Sequence, residues 1–452
     1  MSGLTWPVAP AAADAGGLGA GLADEMGTST RAAVAEILGR LAGQLPERAT
    51  VPEVMPVIAQ AVQDWAQQRA AAGTMVTPGQ QDAIAQAAYD RRYGLGPLAA
   101  YLRDEGVENV DVNGCDQVFV TYASGVREQA APVFATDNEL IAEIRRLAAR
   151  GGQTAREFTE HEPMVTVAVG GDIRMTATMG VTPRPCVSLR RHGHLDVDLD
   201  TLIQLGTLDQ ELAGFLKAAV KARLNMIVTG EQGAGKTTLM RALASEIPPG
   251  VRVATLESEY ELRLHELASH PDVIVFEARQ ANSEGAGGVT LLEIFPQVLR
   301  HNTQRILLGE VRTGEVIPML EAMNSGQLGS MCTMHANSPE EAFDRILILG
   351  LRGGLALAER AIHMLVGMAV DLIVHVSMRH DGHRTIRYVS EILQVMPPGD
   401  TERPSVTKIF VPDGPAGQAV FHHTPSGQML RRLEAAGFSP QLLGTTAPGG
   451  WR

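Results

Sequence analysis

One octapeptide constrains the fold of this 452-residue chain more than any other feature. Gly230-Glu-Gln-Gly233-Ala234-Gly235-Lys236-Thr237 fits the pattern G-x-x-x-x-G-K-[ST]. An apolar run, Asn225-Met-Ile-Val228, leads into it, and a helical pattern over 237–247 leads out. Glycines at 230, 233 and 235 let the backbone turn its N–H groups inward around phosphate oxygens. The start of the next helix adds partial positive charge, with Ala234 and Thr238 completing the cradle. In such a loop Lys236 reaches the β- and γ-phosphates of a nucleotide, and the Thr237 hydroxyl ligates Mg²⁺. The lysine is informative because only four of the 38 basic residues are lysines. With 47 glycines in the chain, roughly 0.004 chance matches are expected. A strand–loop–helix of this kind belongs to a parallel α/β sheet, and ATP is the expected ligand.

The rest of the text fits that expectation. Strands are predicted at 226–229, 252–256, 273–277, 306–309 and 331–335, mostly with helices between them. Unbroken apolar runs such as Ile306-Leu-Leu308 suit strands buried on both faces. Thr290-Leu-Leu-Glu293 and Ser338-Pro-Glu-Glu341 read as capping boxes at helix starts. The pattern predicts an α/β domain over about 193–395, followed by a Gly/Pro-rich stretch with one amphipathic helix near 428–436. Upstream, 31–45, 51–72 and 78–93 read as helices. A mixed segment then gives a short helix at 98–104, strands at 109–112 and 117–121, a helix at 138–150, and strands at 164–169, 172–178 and 186–190. That order suggests an α+β domain.

Length sets a prior of about three domains. The net charge of −13 carries no basic tail or stripe, which argues against phosphate-backbone binding as the main task. Cys115, Cys186 and Cys332 form no C-x-x-C pair, so a zinc site or disulfide framework is not expected and a reducing cytoplasm is. No Lys or Arg precedes Arg31, unlike the start of a secretory signal. The most apolar stretch, 355–376, is interrupted by Glu359, Arg360, His363 and Asp371, so no transmembrane segment is expected.

Three further sites fall at predicted strand ends, where parallel sheets place ligands. Arg305-Ile-Leu-Leu-Gly-Glu310 delivers Glu310, positioned to help hold Mg²⁺ or to orient an attacking water. Thr255-Leu-Glu257-Ser-Glu259-Tyr-Glu261-Leu262 offers three alternating glutamates, either a water-activating cluster or a solvated acidic turn. His335 follows Met331-Cys-Thr-Met and is either a core histidine or a sensor of the γ-phosphate.

Taken together, these residues resemble the secretion ATPases, the motors of type II secretion, type IV pili, type IV secretion and Tad/Flp pili. Four boxes occur in family order. Walker A is 230–237, the acidic box 255–262, Walker B Ile306-Leu-Leu-Gly-Glu310-Val-Arg312, and the His box Thr333-Met-His335-Ala-Asn337. Gly94-Leu-Gly-Pro-Leu98, Val112-Asn-Gly114, Val187-Ser-Leu-Arg190-Arg191 and Pro425-Ser-Gly-Gln-Met-Leu-Arg-Arg-Leu433 look most like the Tad/Flp pilus assembly branch. Two departures stand out. Ser258 occupies the acidic-box position where the family has aspartate, and His301-Asn-Thr-Gln304-Arg305 replaces the family's Arg-x-x-Pro-Asp.

The resemblance implies a hexameric ring of protomers. Each has a helical segment over 30–92, an α+β (PAS-like) N-terminal domain over 93–192 and a RecA-like ATPase domain over 193–440, between disordered tails at 1–29 and 441–452. It implies catalytic or sensing roles for Lys236, Glu257, Glu310, Arg312 and His335, and nucleotide contacts from Arg156, Arg174, Arg190, Arg191 and Arg279. It also implies a soluble protein at the cytoplasmic membrane that works through an inner-membrane platform protein to assemble, or assemble and retract, a pilus. Two alternatives stay open: a type IV secretion or conjugation traffic ATPase acting on DNA or protein, and a weakly hydrolysing nucleotide-switched regulator.

Overall fold

The computed structural model describes residues 28–443 except 47–48, 151–156, 171–172, 192–196, 280, 282–284, 355–356, 382–384, 400–402 and 415–416. The chain divides after residue 192 into two compact units. Most of the stretches expected as disordered tails, 1–27 and 444–452, lie outside the described residues, and residues 28 and 29 open the first helix.

In the first unit three helices, Thr28–Arg40, Val51–Ala71 and Pro78–Arg92, bury one another's apolar stripes, with Ile37, Ile58, Val62, Trp65 and Ile84 inside. Thr50 with Glu53 and Thr77 with Gln80 form capping boxes, each ahead of a proline in the first turn. An antiparallel sheet follows, made of β1 (Val107–Asn113), β2 (Val118–Tyr122), β3 (Arg127–Ala130), β4 (Met164–Val169), β5 (Ile173–Thr178) and β6 (Cys186–Arg191). Its spatial order is β3-β2-β1-β6-β5-β4. Helix Asp137–Arg150 turns Leu140, Ile144, Leu147 and Ala148 into this unit's core. From the same helix Glu143, fully buried, accepts hydrogen bonds from Arg91 and Arg146. Gly96 passes so close that a Cβ there would lie 2.1 Å from the Glu143 carboxylate. This joins the helical segment to the α+β part.

The second unit is built on one nine-stranded sheet. Its strands are β7 (Met226–Gly230), β8 (Val253–Glu257), β9 (Val273–Glu277), β10 (Arg305–Leu308), β11 (Met331–His335), β12 (Leu372–His380), β13 (Thr385–Met396), β14 (Ser405–Pro412) and β15 (Ala419–Phe421). They run β15-β14-β13-β12-β7-β11-β10-β8-β9, parallel from β12 to β9. Alternation along each inner strand shows why. Met226 and Val228 enter the core on one face of the sheet while Ile227 enters the core on the other; Leu307 and its neighbours Ile306 and Leu308 divide the same way. Helices cover both faces, as an all-parallel core requires.

One expectation is corrected here. The stretch past residue 395 is not simply Gly/Pro-rich text with one helix, and the strand over 385–396 that precedes it was not among those expected. β13, β14 and β15 extend the sheet as an antiparallel meander, before helix Gly427–Ala435 packs Met429 and Leu433 into the core. Pro397, Pro398, Pro404 and Gly414 mark the turns between these strands, and that punctuation resembled a loop region.

Candidate functional site

Four parallel strands end at one edge, and each delivers a candidate group. β7 is buried along its whole length and runs into the phosphate loop. Gly230 (φ +153°), Gly233 (φ +78°) and Gly235 (φ +95°) adopt backbone angles that side-chain-bearing residues rarely take. At Gly230 space matters as well, since a Cβ would lie 2.3 Å from the Val376 carbonyl oxygen of β12. Gly235 caps helix Lys236–Ala244, so the helix N-terminus faces the loop interior.

Lys236 is buried, and its Nζ donates to the carbonyls of Gly230 (3.1 Å) and Glu231 (2.9 Å) and to Nδ1 of His335 (3.0 Å). His335 ends β11, and its Nε2 stands 2.6 Å from Oε1 of Glu310. Since Nδ1 accepts from an ammonium, the proton of the neutral ring sits on Nε2 and is donated to Glu310; these partners assign the tautomer. Burial and the Lys236 charge both hold His335 below its ordinary pKa, against the pull of Glu310. Arg312 Nε donates to the other oxygen of Glu310. The result is a continuous chain Lys236–His335–Glu310–Arg312 joining the His box, Walker B and the phosphate loop. A cleft of about 630 Å³, lined among others by Glu231, Gln232, His335 and Asn337, opens beside it.

The acidic box forms a second limb. Glu257 ends β8 and is 2% exposed. Its Oε1 accepts the backbone N–H groups of Glu261 (3.0 Å) and Leu262 (2.8 Å), while its Oε2 has no partner among the described residues. Burial raises its pKa to about 7. Glu261 also faces Thr237, whose hydroxyl lies 3.5 Å from Oε2. Buried Arg241, on the helix that leaves the phosphate loop, donates to the carbonyls of Glu261 and Leu262 and pins the acidic loop in place.

The structure therefore brings together Gly230, Gly233, Ala234, Gly235, Lys236, Thr237, Glu257, Glu310, Arg312 and His335, with Thr238 in the first turn of the helix. Arg279 follows β9, beyond Ala278, whose N–H donates to the Glu257 carbonyl, and its own side chain donates to the Gly287 carbonyl. In the first unit Arg174 and Arg190 face each other across β5 and β6, with Arg190 3.8 Å from Glu108. Arg191 donates to the carbonyls of Leu102, Asp104 and Val107. Arg156 lies outside the described residues. Sequence reasoning missed Arg241 and Arg387; the latter comes from β13 and donates to the Gly233 carbonyl.

For Mg²⁺ the donor set fits. Among the described residues no cluster of three or more His, Cys, Asp or Glu could hold a metal by itself. Mg²⁺, however, commonly takes only one or two protein oxygens beside waters and phosphates. Thr237 and Glu310 supply such oxygens, and the unpartnered Glu257 Oε2 adds a buried acceptor.

The fold and site define a RecA-like α/β unit built around a phosphate loop. Residues 103–379 match the family Type II/IV secretion system protein, and the chain belongs to it. A Mycobacterium tuberculosis protein named, provisionally, for conjugal transfer is 34% identical over 309 residues, 67% of this chain and 85% of that one. The type IV secretion system protein VirB11 of Brucella suis is 31% identical over 346 residues, 69% of this chain and 92% of that one. The crystal structure of the VirB11 ATPase from Brucella suis with sulphate aligns at 27% identity over 66% of this chain and 93% of that one, with a TM-score of 0.36. Among the described residues no helix is long and apolar enough to cross a membrane.

Proposed function

We propose that this protein hydrolyses ATP as a ring-forming, cytoplasmic motor of a secretion or pilus machine, working at the membrane through a platform protein. The observation that supports this most is the hydrogen-bonded chain from Lys236 through His335 to Glu310, set on the phosphate loop of a chain in the secretion family. The loop amides and Lys236 bind the phosphates, and Lys236 exchanges its carbonyl partners for phosphate oxygens as it does so. Thr237 and Glu310 would hold Mg²⁺, which would supply positive charge against the phosphates. Both oxygens of Glu310 are engaged, by His335 and Arg312, whereas Glu257 keeps one oxygen without a partner among the described residues. Glu257 is thus the carboxylate that receives the proton of the attacking water, and the acidic loop holds it in position.

The pilus-assembly reading rests on the motifs quoted above for the Tad/Flp branch. A second reading, export by a type IV secretion or conjugal system, is favoured by what the similar proteins are named for. One experiment separates the pilus motor from conjugal DNA transfer: ATP turnover of the full chain with and without double-stranded DNA over a salt series, alongside particle mass by light scattering. A hexamer mass with DNA-independent turnover supports the pilus motor. DNA stimulation that collapses steeply with salt supports conjugal transfer, and a monomer with ATP and Mg²⁺ overturns the ring.

A further inference from the structure

The hairpin of β12 and β13 runs past the end of β7. Val376 pairs with Gly230, and the residues beyond it, with Met378 opposite Arg387, project beside the phosphate loop. Two contacts join hairpin and loop. The Val376 carbonyl fills the space a side chain at Gly230 would need. Arg387 Nε donates to the Gly233 carbonyl across 2.8 Å, and its Cδ lies 3.5 Å from where a Cβ on Gly235 would stand.

The loop needs such an anchor. Three glycines at positive φ make it the least conformationally restricted part of the site, so ordering it around an anion carries a large entropic cost. Lys236 engages the carbonyls of Gly230 and Glu231, and Arg387 engages that of Gly233. A Gly233 carbonyl turned toward β13 keeps its partial negative charge away from incoming phosphate oxygens. It also fixes the plane of the peptide that precedes Ala234. Arg387 belongs to a strand outside the parallel core, so the meander added to the sheet has a task at the site.

We infer that Arg387 is a nucleotide-positioning residue, which preorders the phosphate loop through the Gly233 carbonyl and sets affinity for the nucleotide phosphates. This rests on the nucleotide reading of the loop. The test compares wild type, Arg387→Met, which keeps reach but loses the donor, and Arg387→Lys, which restores a donor. Readouts are steady-state ATP hydrolysis by the full chain, binding of a fluorescent ATP analogue, and nucleotide-free thermal unfolding. Arg387→Met should raise KM and Kd about tenfold, the worth of a hydrogen bond from a charged donor. Its kcat should stay within about twofold of wild type, its nucleotide-free Tm within ~2 °C, and Arg387→Lys should recover most of the affinity. Wild-type KM in Arg387→Met overturns the inference, as does a loss confined to kcat or an equal loss in both variants with a lowered nucleotide-free Tm. A wild-type chain that neither binds nor hydrolyses ATP defeats the nucleotide reading itself; normal wild-type binding unchanged by Arg387→Met defeats only the role of Arg387.

Discussion

Lys236 and His335, 99 residues apart in sequence, meet across a 3.0 Å hydrogen bond between the phosphate loop and the end of β11. His335 spends its other nitrogen on Glu310, so removing the imidazole disconnects the two boxes. His335→Ala should lower ATP turnover about a hundredfold, the lower end for a group that relays or positions a proton. Nucleotide affinity should change little, because the loop amides remain. Wild-type turnover in this variant would leave His335 a core histidine.

Arg241 is expected to matter twice. It is buried, and its guanidinium holds the loop that holds Glu257. Arg241→Met leaves the carbonyls of Glu261 and Leu262 without that donor, a cost of about 1–3 kcal/mol readable in urea unfolding. Turnover should fall while ADP still binds. Turnover at the wild-type level would separate Arg241 from the placement of Glu257.

At Gly230 the backbone itself is tested. Gly230→Ala sets a methyl group against the Val376 carbonyl at a positive φ, and a loss of about 3 kcal/mol or more is expected. Gly250→Ala is the control, with nothing within 4 Å of the added atom. Equal stability of the two variants would remove the close approach of β12 from the description of the loop.

His375, beside the loop on β12, is buried and shares a hydrogen bond of 2.9 Å with Thr229. Burial lowers its pKa from 6.5 to about 4, outweighing the pull of Glu340 and Glu341, while Lys236 adds to the lowering. The unfolded chain takes up this proton below pH 6.5 and the folded one only near 4. Its stability contribution is therefore complete above 6.5 and is lost as pH falls through that window, about 2 kcal/mol by pH 5. His375→Asn should flatten that part of the stability–pH curve relative to wild type. Parallel curves would count against it.

How far the sequence could be read depends on how local each signal is. The phosphate loop, Glu310 and His335 are carried by short contiguous patterns at the ends of apolar strands, and their meeting follows once the strands are parallel. The meander was not legible, because the text before β13, Asp381-Gly-His-Arg384, is polar and β14 lies between prolines. With β13 unread, Arg387 had no address; its role depends on a strand added antiparallel to the sheet edge. Arg241 read as an ordinary helical arginine, since only the fold of 258–262 turns carbonyls toward it.

The most direct test of the central claim is ATP turnover by the purified full chain beside Lys236→Ala and Glu310→Gln. Lys236→Ala removes the flexible point charge for which arginine's rigid fork is a poor replacement, and Glu310→Gln keeps the shape but removes the charge that His335 and Arg312 hold. Measurable Mg²⁺-dependent hydrolysis in wild type, falling about a hundredfold or more in both variants, is the expected result. Hydrolysis at the wild-type rate in both variants contradicts the assignment of this edge of the sheet as the ATP-hydrolysing centre.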